Sequence, residues 1–88
     1  MYPKIKHKMT EQRVGNEVLL LDPTKQQLHH LNPTASWILE RCEGTRTIDE
    51  IVSDFAMCFN LPLAVAQTDV NTMLNQLLDL GLIEYPSK

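Results

Sequence analysis

Four groups of side chains have types that could do chemistry: the adjacent His29 and His30, Cys42, Cys58, and the carboxylate pair Asp49-Glu50. Histidine with cysteine suggests zinc or an activated thiol, and paired carboxylates suggest proton transfer. Spacing argues against each. Neighbours on a strand point to opposite faces, so His29 and His30 cannot hold one ion without a bulge. Zinc takes three or four ligands, and neither a C-x-x-C nor an H-x-x-x-H spacing occurs. A nucleophilic thiol must be partly exposed and have a base beside it, whereas Cys42 falls on the apolar stripe of a helix. Asp49 and Glu50 sit in a first helical turn, where carboxylates favour the helix dipole. Gly15, Gly44 and Gly81 are each accounted for by a turn or a helix stop, which leaves no glycine-rich phosphate loop. The residues predict no catalytic group, no metal and no cofactor.

The elements that carry these residues are legible in outline. Residues 1–9 lack periodicity and read as a loose lead-in, with Lys4, Lys6, His7 and Lys8 on a solvated terminus. Thr10 to Val14 and Glu17 to Asp22 flank Gly15-Asn16, whose turn chemistry predicts a hairpin. Val18 to Leu21 is apolar throughout, as expected of a middle strand covered on both faces. After the turn Asp22 to Lys25, a strand is expected over Gln26 to Leu31. Neither of its faces is fully apolar, which suits a sheet edge.

Three helices follow. Asn32 caps the first and Pro33 sits where a missing N–H costs nothing. Ala35, Ile38, Leu39 and Cys42 form its stripe, Trp37 widens it, and Gly44 is the expected stop. Thr47 and Glu50 make a capping box for the second, whose stripe runs through Ile51, Val52, Phe55 and Phe59. Asn60-Leu61-Pro62 breaks it. The third starts at Leu63 or Val65 and runs to Leu80 before Gly81, and Leu82 to Tyr85 reads as a short tail against the core. The prediction is one α+β domain over residues 1–88, a three-stranded antiparallel sheet followed by three helices.

Bulk properties narrow the function class. Formal net charge is −3 for 88 residues, against the basic footprint that nucleic-acid binders carry. No run of about eighteen apolar residues occurs and Met1 opens no signal-peptide pattern, which predicts a cytoplasmic protein away from membranes. In such a reducing compartment Cys42 and Cys58 are expected as small core hydrophobes, not a disulfide. The core of so short a chain is thin, so a partner or a second copy would add stability margin. The third helix is more apolar than one narrow stripe requires, and it follows an edge strand rich in hydrogen-bonding side chains. An extended peptide is captured by such a pairing, its backbone adding to the sheet edge and its side chains dropping into the groove.

Those residues resemble the PqqD-like family, the precursor-peptide recognition elements of ribosomal peptide-modification pathways. The likeness lies in the LN-x-T-x-x-x-I core (Leu31, Asn32, Thr34, Ile38) and the G-x-x-T-x-x-E-I segment (Gly44, Thr47, Glu50, Ile51). It extends to the terminal L-x-x-L-x-x-x-G-L-I (Leu74, Leu77, Gly81, Leu82, Ile83), so that together it spans residues 17–85. It implies a winged helix-turn-helix-like fold and a non-catalytic adaptor. The adaptor would bind a leader peptide and present it to a modifying enzyme, a radical-SAM protein in the pathway to pyrroloquinoline quinone. The leader would lie against the third strand and the third helix. Carried onto this chain, that puts Leu28, His29 and His30 on the receiving edge and Asp69, Val70, Met73, Gln76 and Leu77 on the helix. The implied partners are a precursor peptide and its enzyme, with a homodimer open. Rival readings are a winged-helix DNA-binding regulator and a structural accessory subunit. The first conflicts with the absence of Lys and Arg between residues 63 and 80.

Overall fold

The computed structural model describes residues 2–6, 9–15, 17–23 and 26–85. In chain order the elements are β1 (Lys4–Ile5), β2 (Thr10–Val14), β3 (Glu17–Asp22), β4 (Gln27–Leu31), α1 (Pro33–Glu40), α2 (Ile48–Phe59), α3 (Leu63–Asp79) and β5 (Ile83–Glu84). The α+β expectation holds. β2, β3 and β4 form an antiparallel meander with β3 in the middle and β4 at one edge. Gly15 takes a φ of +65° at the β2–β3 turn, while Asn16, Thr24 and Lys25 of the two expected turns lie outside the described residues. Gln26 was expected to open the last strand. Its φ of +51° is left-handed, so it closes the turn and the strand starts one residue later.

β3 is covered on one face only, contrary to expectation. Its register sets Val18 opposite Leu31 and Leu20 opposite His29 on the face towards the helices, where Val18, Leu20 and Leu31 are buried. Leu19 and Leu21 lie opposite His30 and Leu28 on the other face, and Leu21 is 42% and Leu28 65% exposed. A four-residue apolar run therefore does not signal two covered faces when no helix crosses the second.

The helices follow their caps. Asn32 accepts from the Ala35 N–H at 2.8 Å, and the Thr47–Glu50 capping box is complete, with bonds of 3.1 and 2.9 Å. α1 ends at Glu40, earlier than Gly44: the N–H groups of Arg41 and Cys42 bond the carbonyls three residues back, which tightens the last turn. Asn60, at a φ of +54°, terminates α2 in the left-handed conformation that Asn tolerates. Ile38, Cys42, Ile51, Phe55, Val70 and Leu74 lie at the centre of the core.

The expected loose lead-in is instead ordered where it is described, although His7 and Lys8 lie outside the described residues. β1 pairs with β5, Lys4 with Glu84 and Ile5 with Ile83. The Ile5 N–H also donates to the Cys42 carbonyl at 2.9 Å, the Lys6 N–H to Leu82 at 2.9 Å, and the Gly44 N–H to Pro3 at 3.0 Å. The N-terminal segment thus clips the α1–α2 connection to the chain after α3. The expected tail is β5, and Leu82 and Ile83 are buried.

Cys58 departs from its expected place. Cys42 is buried and donates its thiol to the Ile38 carbonyl at 3.3 Å, whereas Cys58 is exposed on α2. Among the described residues, no single helix is long and apolar enough to cross a membrane.

Candidate functional site

β4 pairs with β3 along one edge, and no strand among the described residues takes the other. Its outward N–H and C=O groups are therefore free to pair with an incoming extended chain. No proline interrupts it. Three residues beyond β4, in the first turn of α1, Thr34 enters the lining of a recess of about 180 Å³. Phe55 of α2 and Asp69, Thr72 and Met73 of α3 complete that lining.

On α3, Asp69, Thr72, Met73 and Gln76 recur at i, i+3, i+4 and i+7 and so share one stripe. Met73 is half-buried and packs against the core, Asp69 and Gln76 are exposed, and the Thr72 hydroxyl donates to the Thr68 carbonyl at 2.8 Å. With its proton given to that carbonyl, the Thr72 hydroxyl oxygen keeps only acceptor capacity for a ligand. The Thr34 hydroxyl is likewise spent as a donor, on Asn32 Oδ1 at 3.1 Å. The recess combines an apolar floor, two hydroxyl acceptors and one carboxylate.

Of the eight residues singled out from the sequence, six lie on surfaces that a ligand can reach or on the edge strand itself. Leu28 and His30 point to the open face of the sheet, and His30 Nε2 lies 3.2 Å from a Glu17 carboxylate oxygen, an ion pair only when the imidazole is protonated. His29 points to the helix side and is half-buried, with its Nε2 enclosed and without a hydrogen-bond partner. Asp69, Met73 and Gln76 belong to the α3 stripe just described. Val70 and Leu77 do not: they are 0% and 2% exposed and lie in the core beside Ala66 and Leu74. The two stripes are adjacent on the helix, and burial takes the more apolar one. Thr34, Thr72 and Phe55 escaped the sequence reading as site residues. Thr72 is recoverable from its helical spacing to Asp69 and Gln76, whereas Thr34 enters the sequence reading only as part of the LN-x-T-x-x-x-I motif and Phe55 only as a core residue.

Burial pushes the Cys42 thiol from 9.0 up to about 12, the reverse of what a nucleophile needs. Among the described residues, no three His, Cys, Asp or Glu side chains gather where they could hold a metal ion.

The family model for coenzyme PQQ synthesis protein D matches residues 17–83, from the first residue of β3 into β5. The chain belongs to the PqqD family. Two solved structures share its fold. TbiB1, in complex with the TbiA(beta) leader peptide, superposes with a TM-score of 0.80 at 21% identity, covering 97% of this chain and 99% of that one. The solution structure of the PqqD truncation of Methylobacterium extorquens PqqCD superposes at 0.75 with 20% identity, covering 94% of this chain and 88% of that one. That PqqD truncation represents a functional, stand-alone recognition element for ribosomally synthesised and post-translationally modified peptides. No curated protein sequence matches the chain. PqqD-family membership accounts for the order of strands and helices; the β4 edge and the α3 recess are features of this chain's own residues.

Proposed function

We propose that this PqqD-family chain is a non-catalytic adaptor that binds the leader of a precursor peptide and delivers it to a modifying enzyme. The observation that carries this reading is the unpaired β4 edge beside the Asp69–Met73 recess. The leader pairs with β4 as a fourth strand, so its side chains alternate between the two faces of the sheet. Those on the helix side pass His29 and enter the recess over Met73 and Phe55. Those on the open side lie along Leu28 and His30. Backbone pairing supplies affinity, and the recess supplies choice of sequence. The fold shared with TbiB1, which was solved with a leader peptide bound, supports the same assignment.

The modifying enzyme is proposed to be a radical-SAM protein, with the family's namesake product pyrroloquinoline quinone as the first pathway to test and the cytoplasm as the compartment. A DNA-binding reading draws no support from α3, since residues 63–79 contain no Lys or Arg to meet phosphate.

The test is an amide NMR titration of the labelled chain with the leader of a short peptide encoded beside its gene. Shifts concentrated at residues 27–31 and along the Asp69–Gln76 stripe are the expected result. An intact spectrum that stays unchanged there, with the neighbouring enzyme both absent and present, removes the reading.

A further inference from the structure

A second surface stands apart from the leader groove in both composition and charge. The cleft between α1 and α2, about 420 Å³ in volume, is lined by Trp37, Arg41, Arg46, Asp54, Met57 and Cys58. Met57 is 81% exposed, the highest value among the exposed large apolar side chains of the described residues. Trp37 is held from below by aromatic contacts, its ring centroid 5.4 Å from that of Phe55 and 5.7 Å from that of Phe59. The Arg41 guanidinium lies over the Trp37 ring, 3.6 Å from its centroid, and donates to the Trp37 carbonyl at 2.9 Å.

The charges around this cleft are unevenly matched. Arg13, elsewhere on the chain, is satisfied by Glu11 and Glu40. Arg41 has no carboxylate within ion-pair distance among the described residues, and Arg46 has only Glu43 at 3.4 Å, an exposed contact. The lining residues themselves carry two guanidinium groups, Arg41 and Arg46, against one carboxylate, Asp54, on a chain of net charge −3, and of the two cations Arg41 is the one left without an acid among the described residues. An arginine stacked on an aromatic face keeps its in-plane N–H groups for a carboxylate, and stacking holds the planar fork in place. Arg, Trp and Met are also the residues enriched where proteins dock. The α3 groove has the opposite character, with Asp69 at its rim and no cation on the helix.

We propose that the Trp37–Arg41–Met57 cleft is a second docking site, which takes an acidic segment with apolar anchors from a partner protein. Its carboxylates pair with Arg41 and Arg46, and its apolar side chains cover Met57 and the exposed edge of Trp37. An adaptor that holds a peptide at β4 needs a separate surface for the protein to which it delivers. The opposite charges of the two sites keep their ligands from exchanging places.

Trp37 is the only tryptophan, so its fluorescence reports on the cleft directly. The probe is a short synthetic amphipathic peptide with Leu and Phe on one face and Glu on the other, compared with a counterpart carrying Gln for Glu. The Glu peptide is expected to change Trp37 emission, to protect Cys58 from a thiol reagent, and to shift amides around residues 37–46 and 54–58. Arg46→Gln and Arg41→Gln should each bind the Glu peptide about tenfold more weakly, the worth of one hydrogen-bonded charge pair, and the Gln peptide, which loses both pairs, should bind about a hundredfold more weakly. Met57→Ser, at an exposed position that leaves folding intact, should weaken both peptides alike, and Asp54→Asn should strengthen the Glu peptide. Equal binding of the Glu and Gln peptides, or no response of Trp37 to either, overturns the proposal. Trp37 emission that varies with protein concentration in the absence of peptide, with a dimer in sedimentation, also overturns it by giving the cleft to a second copy. Since leader binding is read at β4 and Asp69–Gln76, either site can fail without the other.

Discussion

Met73 and Leu77 stand about one turn apart on α3, yet their substitution separates binding from stability. Leu77 is 2% exposed and packed in the core, so Leu77→Ala should cost about 2–4 kcal/mol, read as a lower urea midpoint with an unchanged slope. Met73 is only half-buried at the recess, and Met73→Ala should cost about 1 kcal/mol or less while weakening leader binding, measured by the same titration. The cysteines divide in the same way. A thiol reagent should label Cys58 promptly in the native chain and Cys42 only on unfolding. Burial that raises Cys42 from 9.0 to about 12 also links it to pH. Below 9 both folded and unfolded chains keep the thiol protonated, and its contribution to stability is complete. As pH rises from there towards 12, the unfolded chain ionises first and stability falls. Thermal melts of Cys42→Ala should therefore show a shallower decline over that alkaline range than the parent chain, whatever their starting level.

At the scale of elements, what the sequence disclosed tracks how local the determining interaction is. The α2 start is set by Thr47 and Glu50 bonding each other's backbone three residues apart, and it was legible at once. Thr47→Ala should cost about 1 kcal/mol, seen as lost hydrogen-exchange protection in the first turn of α2. The β2–β3–β4 meander was equally legible, because alternation and turn residues are short-range signals. Gly44 illustrates the opposite case. Read locally it was a helix stop, but it stands past the end of α1, at a φ of +80° and bonded to Pro3. A methyl group added there would approach Lys4 Cδ at 3.3 Å. Gly44→Ala should therefore destabilise by about 1–2 kcal/mol, with the loss read at the amides of β1. Val70 and Leu77 were misplaced for a related reason. Hydropathy marks an apolar helix face but does not say which of two adjacent stripes meets α2 and which meets solvent. The edge position of β4 needed no such distinction, since a strand with neither face fully apolar is itself an edge signal.

At the scale of the whole molecule, the chain's two ends are joined, and this is what hydropathy could least reveal. Two-residue strands have no periodicity to read, and β1 and β5 meet across nearly the full length of the sequence. The joint closes the core from below: Pro3, Leu82 and Ile83 are buried there, and three backbone bonds fasten residues 3–6 to Cys42, Gly44 and Leu82. Removing residues 1–6 frees residues 2–6 from the cost of being ordered, about 1–2 kcal/mol each, but uncovers the apolar side chains beneath and leaves the partner carbonyls to water. The net expectation is a loss of about 1–3 kcal/mol, with a lower denaturation midpoint and with exchange protection lost at Ile83 and Glu84 before it is lost in β3. The proposed leader edge, β4, lies on the separate β2–β3–β4 sheet, so the truncated chain, at a denaturant-free temperature where it stays folded, should bind leader with unchanged affinity. If affinity falls together with stability, the N-terminal clip and the β4 edge form one cooperative unit, and the two sheets are coupled through α3, which packs against β5 and α1, and through α1, which packs against β3 and β4.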